Sequence, residues 1–281
     1  MEKNRANFGS KFGIIMAAAG SAVGLGNIWR FPVETGSNGG AAFILVYILS
    51  VAILGIPLMV AEFFVGRYAH SNTATAYRKL NKSPFWGNIG FISVIGATFI
   101  LSYYIVVAGW VLKYMVYSID GTLNNLFTPA DSSNYINLFN NFSSNPWTPI
   151  IYMIVFILIC HCSIALGVQK GIEKFSKIFM PMLFIILVLL VVFSLFTPGA
   201  TKGLHFLLDP DFSKLSSQAI LSAIAQSFYS LSLCMGCLCT YASYFNKDVK
   251  IVSTAINITL IDSIVAIMAG IIIFPAVFSS N

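Results

Sequence analysis

Residues 17–40 read Ala17-Ala-Ala-Gly20-Ser-Ala-Val-Gly24-Leu-Gly26-Asn27-Ile-Trp-Arg30-Phe-Pro32-Val-Glu34-Thr-Gly36-Ser-Asn38-Gly-Gly40. The stretch is apolar enough to enter a bilayer, yet Gly20, Gly24 and Gly26 weaken any helix through it. Asn27 and Arg30 add polar groups where lipid tolerates none. Non-helical backbone survives at membrane depth only when buried in protein or lining a watery cavity. The expectation is a broken transmembrane helix whose gap is a binding site. Freed N–H groups near Leu25 and Gly26 suit a carboxylate. Freed carbonyls near Gly20, Ala22 and Val23 suit a hard cation such as sodium, and Asn27 adds a side-chain carbonyl of the same kind.

The rest of the chain fits a bilayer. Hydrophobic residues make up 57% of it, charged residues 9%, and the mean hydropathy is +0.83. A soluble domain carries roughly a quarter charged residues. We expect an all-α polytopic membrane protein with seven spans, at about 12–36, 41–66, 89–119, 147–167, 174–197, 217–244 and 251–278. Residues 67–88 are a basic connection, and 120–146 and 198–216 are loops. The net charge of +6 does not indicate a nucleic-acid partner, because twelve of the 16 Lys and Arg cluster in alternate connections. Those clusters hold Lys3, Arg5 and Lys11; Arg67, Arg78, Lys79 and Lys82; Lys170, Lys174 and Lys177; Lys247 and Lys250. By the positive-inside rule the N-terminus is cytoplasmic, in the plasma membrane. The first span is not a signal peptide, since Arg30 and Glu34 follow it with no polar mature domain behind.

Four ionisable residues lie inside spans: Arg30, Glu34, Glu62 and Asp262. Each costs a few kcal/mol there unless it finds a partner. Arg30 and Glu34 are spaced for an i,i+4 pair. Glu62 is placed to cap freed N–H groups of a broken neighbour, and Asp262, with no basic residue near it in sequence, calls for a cation. Ser230-Leu-Ser-Leu-Cys-Met-Gly236 repeats the small, polar character of the first break five helices later, as inverted-repeat transporters do. Cys160-His-Cys162 and Cys234-x-x-Cys237 with Cys239 are weak metal or redox motifs; on a helix adjacent residues point about 100° apart, so Cys160 and Cys162 do not easily converge. Asn141-Phe-Ser143 is a glycosylation sequon in an Asn/Ser-rich loop.

Gly20-Ser-Ala-Val-Gly-Leu-Gly-Asn-Ile-Trp-Arg-Phe-Pro32 with Asn38-Gly-Gly-Ala-Ala-Phe43 resembles the signature of the neurotransmitter:sodium symporters, in their bacterial amino-acid-transporting branch. Gly55-Ile-Pro-Leu-Met to Arg67, Tyr103-Tyr104, Lys170-Gly-Ile-Glu-Lys-Phe175 and Gln226 to Tyr244 extend the resemblance over the chain. It implies an inverted-repeat symporter fold with discontinuous helices 1 and 6. Residues 1–281 would form a single transmembrane domain, with a first five-helix repeat at about 12–197 and two helices of the second at about 217–278. Relatives carry further spans, so the chain is expected to be an N-terminal fragment, truncated after helix 7 and lacking helices 8 onward.

The resemblance also assigns residues. Sodium site one would use Ala22, Asn27, Ser230 and Asp262, and sodium site two the carbonyls of Gly20 and Val23. The substrate carboxylate would meet Leu25, Gly26 and Tyr104, with Ile100, Tyr229, Ser232 and Met235 lining the side-chain pocket. Arg30 and Gln226 would form the outer gate, Arg5 and Tyr244 the inner gate, and Glu62 would brace the second break. Gly24 stands where amine-transporting relatives have Asp, which implies an amino acid substrate. Asp262 and Ala266 stand where chloride-dependent relatives have Asn and Ser, which implies chloride-independent transport. The implied function is sodium-coupled symport of a neutral, apolar or aromatic amino acid by alternating access, without enzymatic chemistry. The alternatives are a non-transporting amino-acid-binding or regulatory membrane subunit, and a redox or metal protein using the cysteines.

Overall fold

The structure, a computed structural model, describes residues 8–81, 83–125 and 132–279. The regular elements among them are all helical. Ser10 starts α1 (Lys11–Ala22), its side chain accepting the Gly13 N–H at 3.0 Å. The helix stops at Val23, whose backbone is extended (φ −73°, ψ 116°). A π-helical turn, Gly26–Arg30, leads into α2 (Phe31–Ser37). The two halves diverge by 50°. Pro32 sits in the first turn of α2, where its missing N–H is least disruptive.

The second span joins α3 (Ala41–Ser50), a π turn at Val51–Gly55 and α4 (Ile56–Ala69). Pro57 is the second residue after the π turn, in the first turn of α4. The wide turn accommodates the hydrogen bond that proline cannot make. Next come α5 (Thr73–Leu80), α6 (Pro84–Ile119), α7 (Thr122–Asn125), α8 (Ser132–Ser143) and α9 (Thr148–Ala165). A third π turn, Val168–Glu173, opens α10 (Lys174–Leu195). The chain continues through α11 (Ala200–Leu208), α12 (Ser217–Ser230), α13 (Cys237–Ala242) and α14 (Ile251–Ser279).

Among the described residues five helices are long and apolar enough to cross a membrane, and the bent α1–α2 pair makes a sixth. The stretch expected as a span at 217–244 is α12 and α13, interrupted at 231–236. The basic connection and the two stretches expected as loops each contain a helix. α5 lies within 67–88, α8 within 120–146 and α11 within 198–216. α11 is ordered by packing: Ala200, Gly203 and Leu207 are buried, and Gly203 lies against the backbone of Pro275 in α14. α8 is amphipathic, and its Asn/Ser content hides Phe139 and Phe142 on one side.

The chain divides into two compact units, Met1–Val94 with Val168–Asn281, and Ile95–Gly167. In the first, α14 packs along α10 and α11, α12 along α3, and α13 along α4. Its core holds Phe31, Phe43, Tyr47, Phe63, Leu238 and Ile258, with the Phe31 and Tyr47 rings 5.1 Å apart. Gly66 lets α4 lie against the backbone of Cys239, where any Cβ would collide. In the second unit, Trp110 meets Phe139 edge-on at 5.2 Å, and Gly109 faces the backbone of Met153.

Candidate functional site

The first break hands its backbone groups to Asn27. Asn27 Oδ1 accepts the Gly24 N–H at 3.0 Å, so the side chain closes the turn that the helix leaves open. Its Nδ2 faces the other way, 2.8 Å from Asp262 Oδ1, 3.1 Å from the Asp262 carbonyl and 3.0 Å from Ser230 Oγ. Ser230 donates to Asp262 Oδ2 at 2.8 Å, and the Tyr47 hydroxyl donates to the same oxygen at 3.1 Å. Asn27, Tyr47 and Asp262 are fully buried, and Ser230 is 1% exposed. Among the described residues no cationic side chain pairs with Asp262. The cluster is therefore a carboxylate held by neutral donors from α3, α12 and the first break. A buried charge of this kind is costly without a counter-charge, and an oxygen-rich pocket of net charge −1 suits a hard monovalent cation.

The second break runs from Leu231 to Gly236 between α12 and α13. Ser232 (φ 53°), Cys234 (φ 63°) and Gly236 (φ 74°) adopt the left-handed conformation. For the two non-glycine residues this costs about 1–2 kcal/mol each. Side chains from outside the break hold it. Glu62 Oε1 accepts the Cys234 N–H at 2.6 Å, and Thr73 donates to the Gly236 carbonyl. The Ser232 hydroxyl donates to the Ser21 carbonyl at 3.0 Å, linking the two breaks directly.

Around this pair, Gln226 Nε2 donates to the Gly26 carbonyl at 2.9 Å. A Cβ on Gly26 would sit 3.1 Å from the Tyr229 ring, so glycine permits the close approach of α12. Arg30 stacks over Tyr229 at 4.9 Å from the ring centre and pairs with Glu34 at 3.3 Å. Ala22 and Val23 are buried at the end of α1, and Gly20 faces Met180 of α10. Leu25 and Met235 are half-buried beside their breaks. The Tyr244 carbonyl accepts the Phe8 N–H at 3.3 Å. Arg5 lies outside the described residues. Ile100 and Tyr104 lie on α6 within the Ile95–Gly167 unit, both half-buried there.

Two residues of this site were not anticipated from sequence. Tyr47 carries a buried hydroxyl amid Ile, Leu and Val, a pattern that calls for a polar partner. Thr73 falls in the basic connection 67–88, at the start of α5.

The sequence profile of the Sodium:neurotransmitter symporter family matches residues 5–137 and 133–279. The chain belongs to this family. It is a multi-pass membrane protein of a transporter family, not an enzyme family. The symporter relatives include the sodium-dependent transporter YhdH of Bacillus subtilis, 42% identical over 99% of this chain and 61% of its own length. A sodium-dependent transporter of Methanocaldococcus jannaschii, MJ1319, is 36% identical over 96% of this chain and 55% of its own. The crystal structure of MhsT in complex with L-phenylalanine superposes with a TM-score of 0.91 at 44% identity, over 98% of this chain and 62% of that one. The fold is the all-helical fold of that transporter, and the chain spans about three fifths of the length of these two bacterial relatives.

Proposed function

We propose that this chain contributes the ion- and substrate-binding part of a sodium-coupled symporter for neutral amino acids. The carrying observation is the buried Asp262 carboxylate, shared by Asn27, Ser230 and Tyr47 where two broken helices meet. Sodium would take Asp262, Asn27, Ser230 and the Ala22 carbonyl in one site, and the Gly20 and Val23 carbonyls in a second. The amino acid carboxylate would meet the Leu25 and Gly26 amides, beside the first sodium. Tyr229, Ser232 and Met235 would contact its side chain. Met235 is adaptable and none of these residues is charged, which favours an apolar or aromatic substrate. That MhsT was crystallised with L-phenylalanine supports the aromatic choice.

Asp262 supplies a fixed negative charge beside the sodium, which supports transport without chloride. Arg30 and Gln226 would close the outer side, Arg5 and Tyr244 the inner side, with the N-terminus cytoplasmic. In alternating access, the helix pairs α1–α2 and α12–α13 would rock with the second span and α14 about the breaks.

The test is binding of radiolabelled phenylalanine and leucine to the purified protein, with sodium exchanged for potassium and chloride for gluconate. Saturable binding in sodium but not potassium, unaffected by gluconate, is the expected result. Binding that survives potassium overturns the coupling, and binding lost in gluconate overturns the role given to Asp262.

A further inference from the structure

The second span ends in positive charge that the proposed transport site does not use. A cavity of about 270 Å3 opens there, lined by Phe64, Arg67, Tyr68, His70 and Lys247. Phe64, Arg67 and Tyr68 are on the last turns of α4. His70 ends that helix in the left-handed conformation (φ 44°), and Lys247 comes from the turn between α13 and α14.

A helix C-terminus attracts cations to its unpaired carbonyls, and this accounts for part of the charge. Lys79 Nζ takes the Ala69 carbonyl at 3.1 Å. One N–H of Arg67 is committed elsewhere, to the Val249 carbonyl at 2.7 Å. The remaining guanidinium N–H groups, the Lys247 ammonium and the His70 ring are not used in this way. Among the described residues no carboxylate pairs with Arg67, His70 or Lys247.

The outer wall is aromatic. Phe64 and Tyr68 are 57% and 70% exposed, and their rings stack 6.2 Å apart. α4 closes the 29-residue apolar span Ala41–Ala69, so the cavity lies at the boundary between hydrocarbon and water. Cationic donors on the water side and a stacked aromatic pair on the lipid side describe an amphiphile carrying an oxyanion. The volume falls just below the roughly 300–1,000 Å3 of sites that enclose a whole drug-sized ligand, leaving room for a headgroup and not for tails.

The geometry points to a binding site for the phosphate headgroup of an anionic phospholipid, held by Arg67, His70 and Lys247, with its acyl chains along Phe64 and Tyr68. Arg67 supplies directed donors to the phosphate oxygens and Lys247 a mobile point charge. The occupied helix is the one whose Glu62, two turns back, holds the second break. The headgroup therefore anchors an element that the transport site depends on.

The experiment titrates fluorescent phosphatidylglycerol and fluorescent phosphatidylcholine into the purified protein in detergent, with inorganic phosphate as competitor. Lys247→Gln is the main variant, because Lys247 is exposed; Arg67→Gln would also disturb Val249. One basic residue at a membrane surface is worth about a fivefold change in affinity. Preference for phosphatidylglycerol, weakened about fivefold by Lys247→Gln with unchanged thermal unfolding, is the expected result. Phe64→Ala should weaken lipid binding and leave competition by inorganic phosphate where it was. Equal binding of the two lipids, or phosphatidylglycerol binding unaltered by both Lys247→Gln and His70→Gln, overturns the proposal. So does displacement by inorganic phosphate combined with indifference to Phe64→Ala, which reassigns the cavity to the free anion.

Discussion

Replacing Asp262 by asparagine separates an ion-binding role from a structural one. The carboxylate accepts from Asn27 through Oδ1 and from Ser230 and Tyr47 through Oδ2. An amide keeps the shape, but one of its ends faces donors with a donor. Re-pairing that end costs about 1–3 kcal/mol. Against this, the variant no longer buries a charge that only neutral groups hold, so sodium-free stability should change little. Sodium binding should change much more. A unit charge about 4 Å from a cation, at an effective dielectric near 20, contributes ~4 kcal/mol, or roughly a thousandfold in affinity. The assay is the midpoint of thermal unfolding against sodium concentration, with potassium holding ionic strength constant. Bound sodium raises the midpoint by mass action, and the concentration dependence yields the affinity. Asp262→Asn should unfold within a few degrees of the parent without sodium and need sodium at least a hundredfold higher for the same rise. Adding chloride should recover part of the loss by returning a negative charge to the site. A sodium dependence within about threefold of the parent would refute the assignment of Asp262 as the counter-charge.

Three further outcomes follow from the geometry. Tyr47→Phe removes one donor from Asp262 Oδ2 and should destabilise the sodium-free protein by about 1.5–3 kcal/mol, read from chemical unfolding. Glu62→Ala strands the Cys234 N–H and should cost about 1–3 kcal/mol, while Glu62→Gln, which retains an acceptor, should recover most of it in the same measurement. Gly236→Ala places a Cβ 2.6 Å from the Thr73 side chain at φ 74°, and should lower thermal stability by about 2 kcal/mol or more.

The two breaks were unequally legible in the sequence. The first announces itself, because three glycines, Asn27 and Arg30 have no place in an intact span. The second contains one glycine among residues 231–236, and it depends on Ser232 and Cys234 accepting a conformation that their side chains disfavour. No local pattern signals that; the only sequence cue is its likeness to the small, polar first break five helices earlier. The i,i+4 pairing of Arg30 with Glu34 follows from helical spacing alone. The meeting of Asn27, Ser230 and Asp262 does not, since they lie 203 and 235 positions apart. The family resemblance carries those three but not Tyr47, whose apolar sequence neighbours are those of a packing residue. The helices within the connections were missed for a different reason. α8 and α11 are short and polar on one side, so neither stands out as a long apolar run, and each lays its apolar side against other helices.

At both breaks, an N–H that an intact helix would pair along its own axis is instead met by a single side chain. The Gly24 N–H relies on Asn27 and the Cys234 N–H on Glu62. A helix spreads such dependence over many interchangeable residues; here each of these two N–H groups has one custodian. Glu62 should therefore tolerate few substitutions in a saturation scan beyond those that keep the acceptor, although it does not belong to the proposed ion or substrate contacts. A scan interpreted as a map of ligand contacts would draw the site too large, extending it onto α4. Comparing each position's conservative and radical substitutions separates the two groups. Custodians tolerate any residue that keeps the acceptor or donor, whereas ligand contacts also require its charge and reach.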